Sequence, residues 1–215
     1  MKYDPNKHHR RSIRLHGYDY HKTGAYFVTI CTKNRACILE DRIINGIIKD
    51  IWQALPAWFP TTELDEFVVM PNHIHFVIWI ISSHEYVQNR ILGQKDGGKP
   101  RPYIIPTPEK INPAPALGDI VGAFKSLVFT VYLDWINAND PSRRAKFWQQ
   151  NYYEHIIRND RELNAIRKYI IDNPDNWKMD RDNRENIRNL PPPKKVEEYL
   201  EDLQPFLDNQ ELSST

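Results

Sequence analysis

The sequence predicts a protein of the α+β class, and three observations predict it. Residues 73–80 (HIHFVIWI) are a run of β-branched and aromatic side chains, joined through Pro71-Asn72 to a second strand-forming run over 63–70. Apolar residues recur at helical spacing over 43–55 and again in two later segments. The resulting order is strand, helix, strand, strand, helix, strand, helix, which mixes a hairpin with helices.

In chain order, Tyr26 to Thr32 follows Gly24 and is rich in strand formers, giving the first strand. From about Asp41, residues Ile43, Ile44, Ile47, Ile48, Ile51, Trp52 and Leu55 make an amphipathic helix ending near Pro56. Glu63 to Met70 is the second strand. Along the third, His73, His75, Val77 and Trp79 share one face, while Ile74, Phe76, Ile78 and Ile80 form an apolar face that should be core. Gly118-Asp119 opens a helix with Asp119 as its N-cap and a stripe of Ile120, Phe124, Leu127, Val131 and Trp135. Phe147-Trp148 through Ile156-Ile157 reads as the fourth strand. Asp160 caps a last helix from Arg161 to about Ile171, which Pro174 stops because the residue before a proline is pushed out of the α region.

The organisation divides into a basic arm over 1–23, a domain over 24–178 and a charged tail over 179–215. A Pro/Gly-rich insertion at about 82–118 interrupts the domain; such a loop lines a binding path or is idle. The 215-residue chain has a net charge of +1, too little to grip nucleic acid by bulk electrostatics, but the charge is uneven. Residues 1–42 carry a balance of +5 and residues 180–215 one of −4. Arg10, Arg11 and Arg14 lie in the basic end, where they contact phosphate or simply stay solvated. No apolar run approaches the roughly 20 residues of a membrane helix and no apolar signal region opens the chain, so the expectation is cytoplasmic, away from membranes. Cys31 and Cys37 fit no disulfide or zinc spacing and are expected to be packing residues.

Two imidazoles two residues apart on one strand face can converge on one metal ion, or stand half-exposed on an open sheet. Tyr169 and Asn173 are four apart, one turn on the same helix face. Together these supply a nucleophile and three metal ligands. Lys125 and Ser126 flank the second helix stripe, where they face phosphate or solvent. His155 precedes the last helix and either assists proton transfer, contacts DNA or is structural.

These residues carry a resemblance. Val69-Met70-Pro71-Asn72-His73-Ile74-His75, Phe124-Lys125-Ser126, Trp148, Tyr153 through Arg158, and Tyr169-Ile170 with Asn173-Pro174 resemble, in order, the single-tyrosine HUH transposases, most closely the REP-associated tyrosine transposases. The resemblance covers roughly residues 10–178; the long insertion and the acidic tail depart from it. It implies a ferredoxin-like antiparallel sheet with helices packed on one face and the His face open to ligand. It implies cleavage and rejoining of single-stranded DNA bearing a palindromic hairpin through a 5′-phosphotyrosine, with Tyr169 as nucleophile. It also implies Mg²⁺ or Mn²⁺ held by His73, His75 and Asn173; DNA contacts are expected of Arg10, Arg11 and Arg14 in the basic arm and of Lys125 beside the helix stripe, in a monomer or a homodimer. Tyr152 and Tyr153 are rival nucleophiles, but no ligand lies one turn from either. Two alternatives remain open: a self-mobilising insertion-sequence transposase rather than a host-resident one, and a non-catalytic single-strand-binding module whose aromatics stack on bases.

Overall fold

A computed structural model describes residues 18–82, 115–180 and 182–183. The elements are β1 (Gly24–Cys31), α1 (Arg42–Trp58), β2 (Thr62–Val69), β3 (His73–Ile80), α2 (Leu117–Asn139), β4 (Tyr153–Ile157) and α3 (Asp160–Asp172). A 3₁₀ turn follows at Trp177–Met179. The strands form one sheet in the order β2-β3-β1-β4, with every neighbouring pair antiparallel. That is the ferredoxin-like arrangement, and β3 with β1 is its centre.

Alternation along β3 creates two different faces, as its sequence requires. Ile74, Phe76, Ile78 and Ile80 join Tyr26, Val28 and Ile30 of β1 under α1 and α2. Phe76 is 1% exposed and lies between Trp52 of α1 and Phe124 of α2, with ring centroids 4.8 and 6.2 Å away. The hairpin expected at Pro71-Asn72 is present, closed by Met70 N–H donating to His73 C=O at 2.8 Å.

The helix ends follow ordinary capping rules with small shifts. Asp41 is the N-cap of α1, its carboxylate accepting from the Ile43 and Ile44 N–H groups. The helix runs two residues beyond Pro56, because Phe59 N–H still reaches Leu55 C=O and closes the last turn. Asp119 is not the cap of α2; it sits inside the first turn and accepts from Ala116 N–H at 3.2 Å. The buried stripe of α2 is Leu117, Ile120, Val121, Phe124, Val128, Tyr132 and Ile136, whereas Val131 is 40% exposed. The expected stripe holds at Ile120 and Phe124 and then drifts onto the adjacent apolar row, on a helix that is apolar on several sides. The fourth strand also begins later than expected, at Tyr153; Trp148 makes only an isolated bridge to Thr32. Asn159, rather than Asp160, caps α3 by accepting from Glu162 N–H at 2.9 Å.

The largest departure concerns layering. Two helices cover the apolar face, as expected, but α3 lies against the opposite face and closes it. Leu163, Ile166 and Ile170 pack on Ala25, Phe27, Val77 and Tyr153. Among the described residues no helix is long and apolar enough to cross a membrane. Cys31 is partly buried, and burial pushes its thiol up to about 12; Cys37 is exposed, so it is not the packing residue expected.

Truncating the side chain shared by the sheet and both covering helices leaves a cavity that β3, central in the sheet, cannot collapse to fill. Phe76→Ala is expected to cost about 3–5 kcal/mol in denaturant unfolding; a loss below about 1 kcal/mol would show that Phe76 is not the keystone of this layer.

Candidate active site

The site lies between β3 and α3, and its position begins on β2. Pairing of β2 with β3 shifts register between Leu64 and Phe67. Leu64 packs with the core, so alternation sends Asp65 to the α3 side and the register shift returns Phe67 to the core; Asp65 accepts from Trp79 Nε1 at 2.8 Å and from Arg167 Nε and Nη2 at 2.8 and 2.6 Å. Burial alone would raise the Asp65 carboxyl, but the Arg167 and Trp79 hydrogen bonds outweigh it and hold the carboxyl below the usual range. A two-pronged guanidinium–carboxylate pair fixes direction as well as distance. At the other end of α3, Glu162 accepts from His155 Nε2 at 2.6 Å and from Arg158 N–H at 2.7 Å. The predicted accessory His155 therefore belongs to the clamp at the start of α3.

Clamped at both ends, α3 places Tyr169 over the histidines. The Tyr169 hydroxyl is 3.4 Å from His75 Nε2, and the two rings are 5.3 Å apart. Phe27 stacks on His75 at 5.3 Å and meets Tyr169 edge-on at 6.2 Å. The His73 and His75 rings are 4.4 Å apart. Neither imidazole is half-exposed on an open sheet, since His73 is 0% and His75 1% exposed. The face expected to be open is covered by α3 and by the chain after it, where Trp177 stands 6.1 Å from His73.

Hydrogen bonds set the ring states. Asn72 Nδ2 donates to Asp182 C=O at 2.6 Å and Arg35 C=O at 3.3 Å, so its Oδ1 is the atom facing His73. His73 Nδ1–H donates to that oxygen at 2.8 Å, leaving the Nε2 lone pair pointing into the site. His75 Nδ1 shares a 2.8 Å hydrogen bond with the Thr29 hydroxyl. Burial, with the Arg35 cation as a lesser cause, pushes His73 down to about 3, so its imidazole stays neutral. Asn173, the C-cap of α3, is 4% exposed.

The fit to a metal rests on orphaned acceptors. His73 Nε2 and Asn173 Oδ1 are buried with no hydrogen-bond partner, which is costly unless an ion or water meets them. A metal-ligating imidazole ordinarily donates its other N–H to an oxygen, as His73 does to Asn72. The residue types fit a divalent cation, although among the described residues no three His, Cys, Asp or Glu side chains already converge on one point.

Of the predicted residues, Tyr169 and His75 are in direct contact and His73 adjoins His75. Asn173 follows one turn after Tyr169, on the chain that continues to Trp177. The structure gives Lys125 another partner, since its ammonium donates to the Gln149 and Gln150 carbonyls at 2.7 and 2.9 Å. That holds the segment leading to β4, and burial lowers the Lys125 pKa. Arg10, Arg11 and Arg14 lie outside the described residues, as do nearly all of the insertion and the tail. Rival Tyr153 is buried and packs edge-on against Phe27 at 6.2 Å. Sequence reasoning missed Thr29, Arg35, Asn72, Asp180 and Asp182. Asn72 carries a signal, standing next to the first histidine within the motif, although the sequence assigns it no role beyond the turn.

Three comparisons bear on this chain. No family model matches it. An uncharacterised protein of Haemophilus influenzae is 38% identical over 187 residues, 83% of this chain and 96% of the relative. The chain belongs to the family of that Haemophilus protein. Among solved structures, a REP-associated tyrosine transposase bound to a REP hairpin is similar at TM-score 0.48 and 16% identity, over 78% of this chain and 76% of that one. A chain from Deinococcus radiodurans, described as a candidate transposase, is similar at TM-score 0.39 and 19% identity, over 74% of this chain and 95% of that one.

Two outcomes are expected of the site's framework. An unfolded His73 titrates near 6.5 and the folded one near 3, so the unfolded chain binds the extra proton between those values. This contribution to stability is complete above about pH 6.5 and falls as pH drops toward 3. In urea unfolding across that window, His73→Gln should flatten the acid slope, leaving the part due to depressed carboxyls such as Asp65 and Asp41; an unchanged slope would place His73 outside the buried state described. Arg167→Ala should lower the melting temperature and speed amide exchange in α3, because it strips the paired charge from a buried carboxylate. Unchanged exchange in α3 would mean the apolar contacts alone hold the helix.

Proposed function

We propose that this protein is a DNA nicking-joining enzyme of the single-tyrosine HUH transposase class, with Tyr169 as nucleophile. The observation that carries the reading is the Tyr169 hydroxyl 3.4 Å from His75 Nε2, beside a His73 Nε2 that is buried and without a donor. The ordered motifs described above support the same class. The proposed substrate is single-stranded DNA next to a palindromic hairpin.

The Tyr169 oxygen attacks the scissile phosphorus, forming a P–O bond to the phenol as the P–O3′ bond breaks. The 3′-oxygen leaves and takes a proton, so one strand ends in a free 3′-OH and the other is joined to Tyr169 through its 5′-phosphate. Attack on that phosphotyrosine by the 3′-OH of another strand reverses the step and joins new ends without an external energy source. Phenol, with a pKa near 10, is a weak nucleophile when protonated and needs help to ionise. His73, His75 and Asn173 would hold a divalent cation, Mg²⁺ or Mn²⁺. When bound, the cation polarises the phosphate and offsets the charge that builds as the phenol ionises and attacks. Mn²⁺ accepts imidazole more readily than Mg²⁺ does. Burial and the Arg35 cation keep His73 neutral, and Asn72, by accepting from Nδ1, leaves its lone pair at Nε2. Clamping of α3 by Asp65 and Glu162 keeps the phenol from swinging away, which lowers the entropy lost on reaching the phosphate. The single-strand-binding alternative needs an open aromatic sheet face, and here α3 covers one face while α1 and α2 cover the other.

The test incubates the protein with labelled single-stranded oligonucleotides carrying hairpins, with Mn²⁺ or with EDTA, and resolves covalent adducts on denaturing gels. The expected result is a metal-dependent adduct that Tyr169→Phe abolishes and that His73→Ala slows by at least about a hundredfold. An adduct persisting in Tyr169→Phe would move the nucleophile elsewhere. Hairpin binding without any adduct, indifferent to EDTA, would replace the enzyme with a binding module.

A further inference from the structure

Both histidines are held at the same ring atom. His73 Nδ1 meets the Asn72 amide oxygen and His75 Nδ1 meets the Thr29 hydroxyl, each at 2.8 Å. Nε2 is therefore the nitrogen that each ring turns toward the site. In His75 it stands 3.4 Å from the Tyr169 hydroxyl.

Sheet register delivers Thr29 to this place. Thr29 of β1 and His75 of β3 are direct cross-strand partners, and alternation puts Thr29 on the α3 side with Phe27. Its neighbours Val28 and Ile30 belong to the opposite, apolar face. Thr29 is 1% exposed, so water does not compete for its hydroxyl. Phe27 stacks on the His75 ring with 29° between the planes, which sets the plane but not the direction of the nitrogens. A half-turn of the ring about its Cβ–Cγ bond would keep that stack. It would also put a ring carbon against the hydroxyl and take Nε2 away from the phenol. The Thr29 hydrogen bond is what distinguishes the two orientations.

The two partners differ in one respect. The Asn72 oxygen only accepts, so His73 is confined to one tautomer. A hydroxyl both accepts and donates. Thr29 accepts from Nδ1–H when Nε2 offers its lone pair, and donates to Nδ1 when Nε2 carries the proton. The ring keeps its direction in both states.

We propose that Thr29 is the positioning residue of His75, holding Nε2 toward the site whether it faces the Tyr169 phenol or a divalent cation. The proposal rests on the metal-dependent reading above and adds a residue on β1, a strand that contributes nothing to the ordered motifs. An imidazole that ligates a metal ordinarily has its other nitrogen on an oxygen, and removing that oxygen weakens metal binding about 10- to 100-fold.

The test uses full-length protein without DNA. Thr29→Val and Thr29→Ala lack the hydroxyl, Thr29→Ser keeps it, and each is checked for an intact thermal transition. Mn²⁺ titrated calorimetrically is expected to bind at least about tenfold more weakly to the Val and Ala variants, and near wild-type strength to Thr29→Ser. In the metal-free protein labelled with ¹⁵N-histidine, the ring nitrogen signals of His75 should move in Thr29→Val while those of His73 stay. Wild-type Mn²⁺ affinity and unmoved His75 signals in Thr29→Val would overturn the proposal and leave the metal site standing. Equal weakening in Thr29→Ser and Thr29→Val would also overturn it, since the methyl group rather than the hydroxyl would then matter. No Mn²⁺ binding by the wild type would overturn the metal-dependent reading and the cation half of the proposal together; moved His75 signals would then still support the hold on the ring facing Tyr169.

Discussion

The contact on which the site depends is the docking of α3 on the sheet face that carries the histidines, directed by the two-pronged pair between Arg167 and Asp65. Apolar packing of Leu163, Ile166 and Ile170 supplies attraction but little direction, since hydrophobic burial is non-directional. The guanidinium–carboxylate geometry, with Trp79 as a third participant, sets the rotation and height of the helix. Without that constraint the phenol of Tyr169 would have no fixed relation to His75. Strand alternation makes the contact available, since Leu64 packs with the core and Asp65 next to it falls on this face.

Burial changes what the two histidines can do. On an open sheet they would titrate near neutrality and exchange hydrogen bonds with water. Enclosed beneath α3 and the strap after it, His73 remains neutral through mildly acidic conditions and its lone pair has one outlet. The cost of burying a polar nitrogen without a donor is a positive reason to expect an ion there, because folded chains rarely leave such groups unmet. Asn72 makes the arrangement directional: its amide is oriented by two backbone carbonyls, and that orientation fixes which nitrogen of His73 carries the proton.

The segment from Asn173 to Asn183 links the two halves of the site. It leaves α3 at the Asn173 cap, passes Trp177 against His73 and brings Asp180 and Asp182 to the start of β3. Arg35 meets it from the turn after β1, where Asn34 and Arg35 adopt positive φ values of 57° and 50°. Non-glycine residues in that region are uncommon and cost some stability. The strain is held in a turn whose carbonyl accepts from Asn72 and whose guanidinium pairs with Asp182 of the segment.

Much of this fold was legible in the sequence because its rules are local. Alternation along β3 separated the core face from the histidine face, the Pro71-Asn72 turn gave the hairpin, and helical spacing gave α1 and α3. The pairing of Tyr169 with the histidines was legible only as an ordered set of motifs, since neither fragment specifies the other. Local rules failed where a helix was apolar on several sides, which is why Val131 was misplaced, and where pairing ended early before β4. What tertiary structure alone decided was the enclosure of the site. Asp65, Arg167, Asn72 and Thr29 are ordinary polar residues by their neighbours in sequence, with contacts up to 110 positions away. Their roles follow from distances in space, and no period or spacing along the chain encodes those.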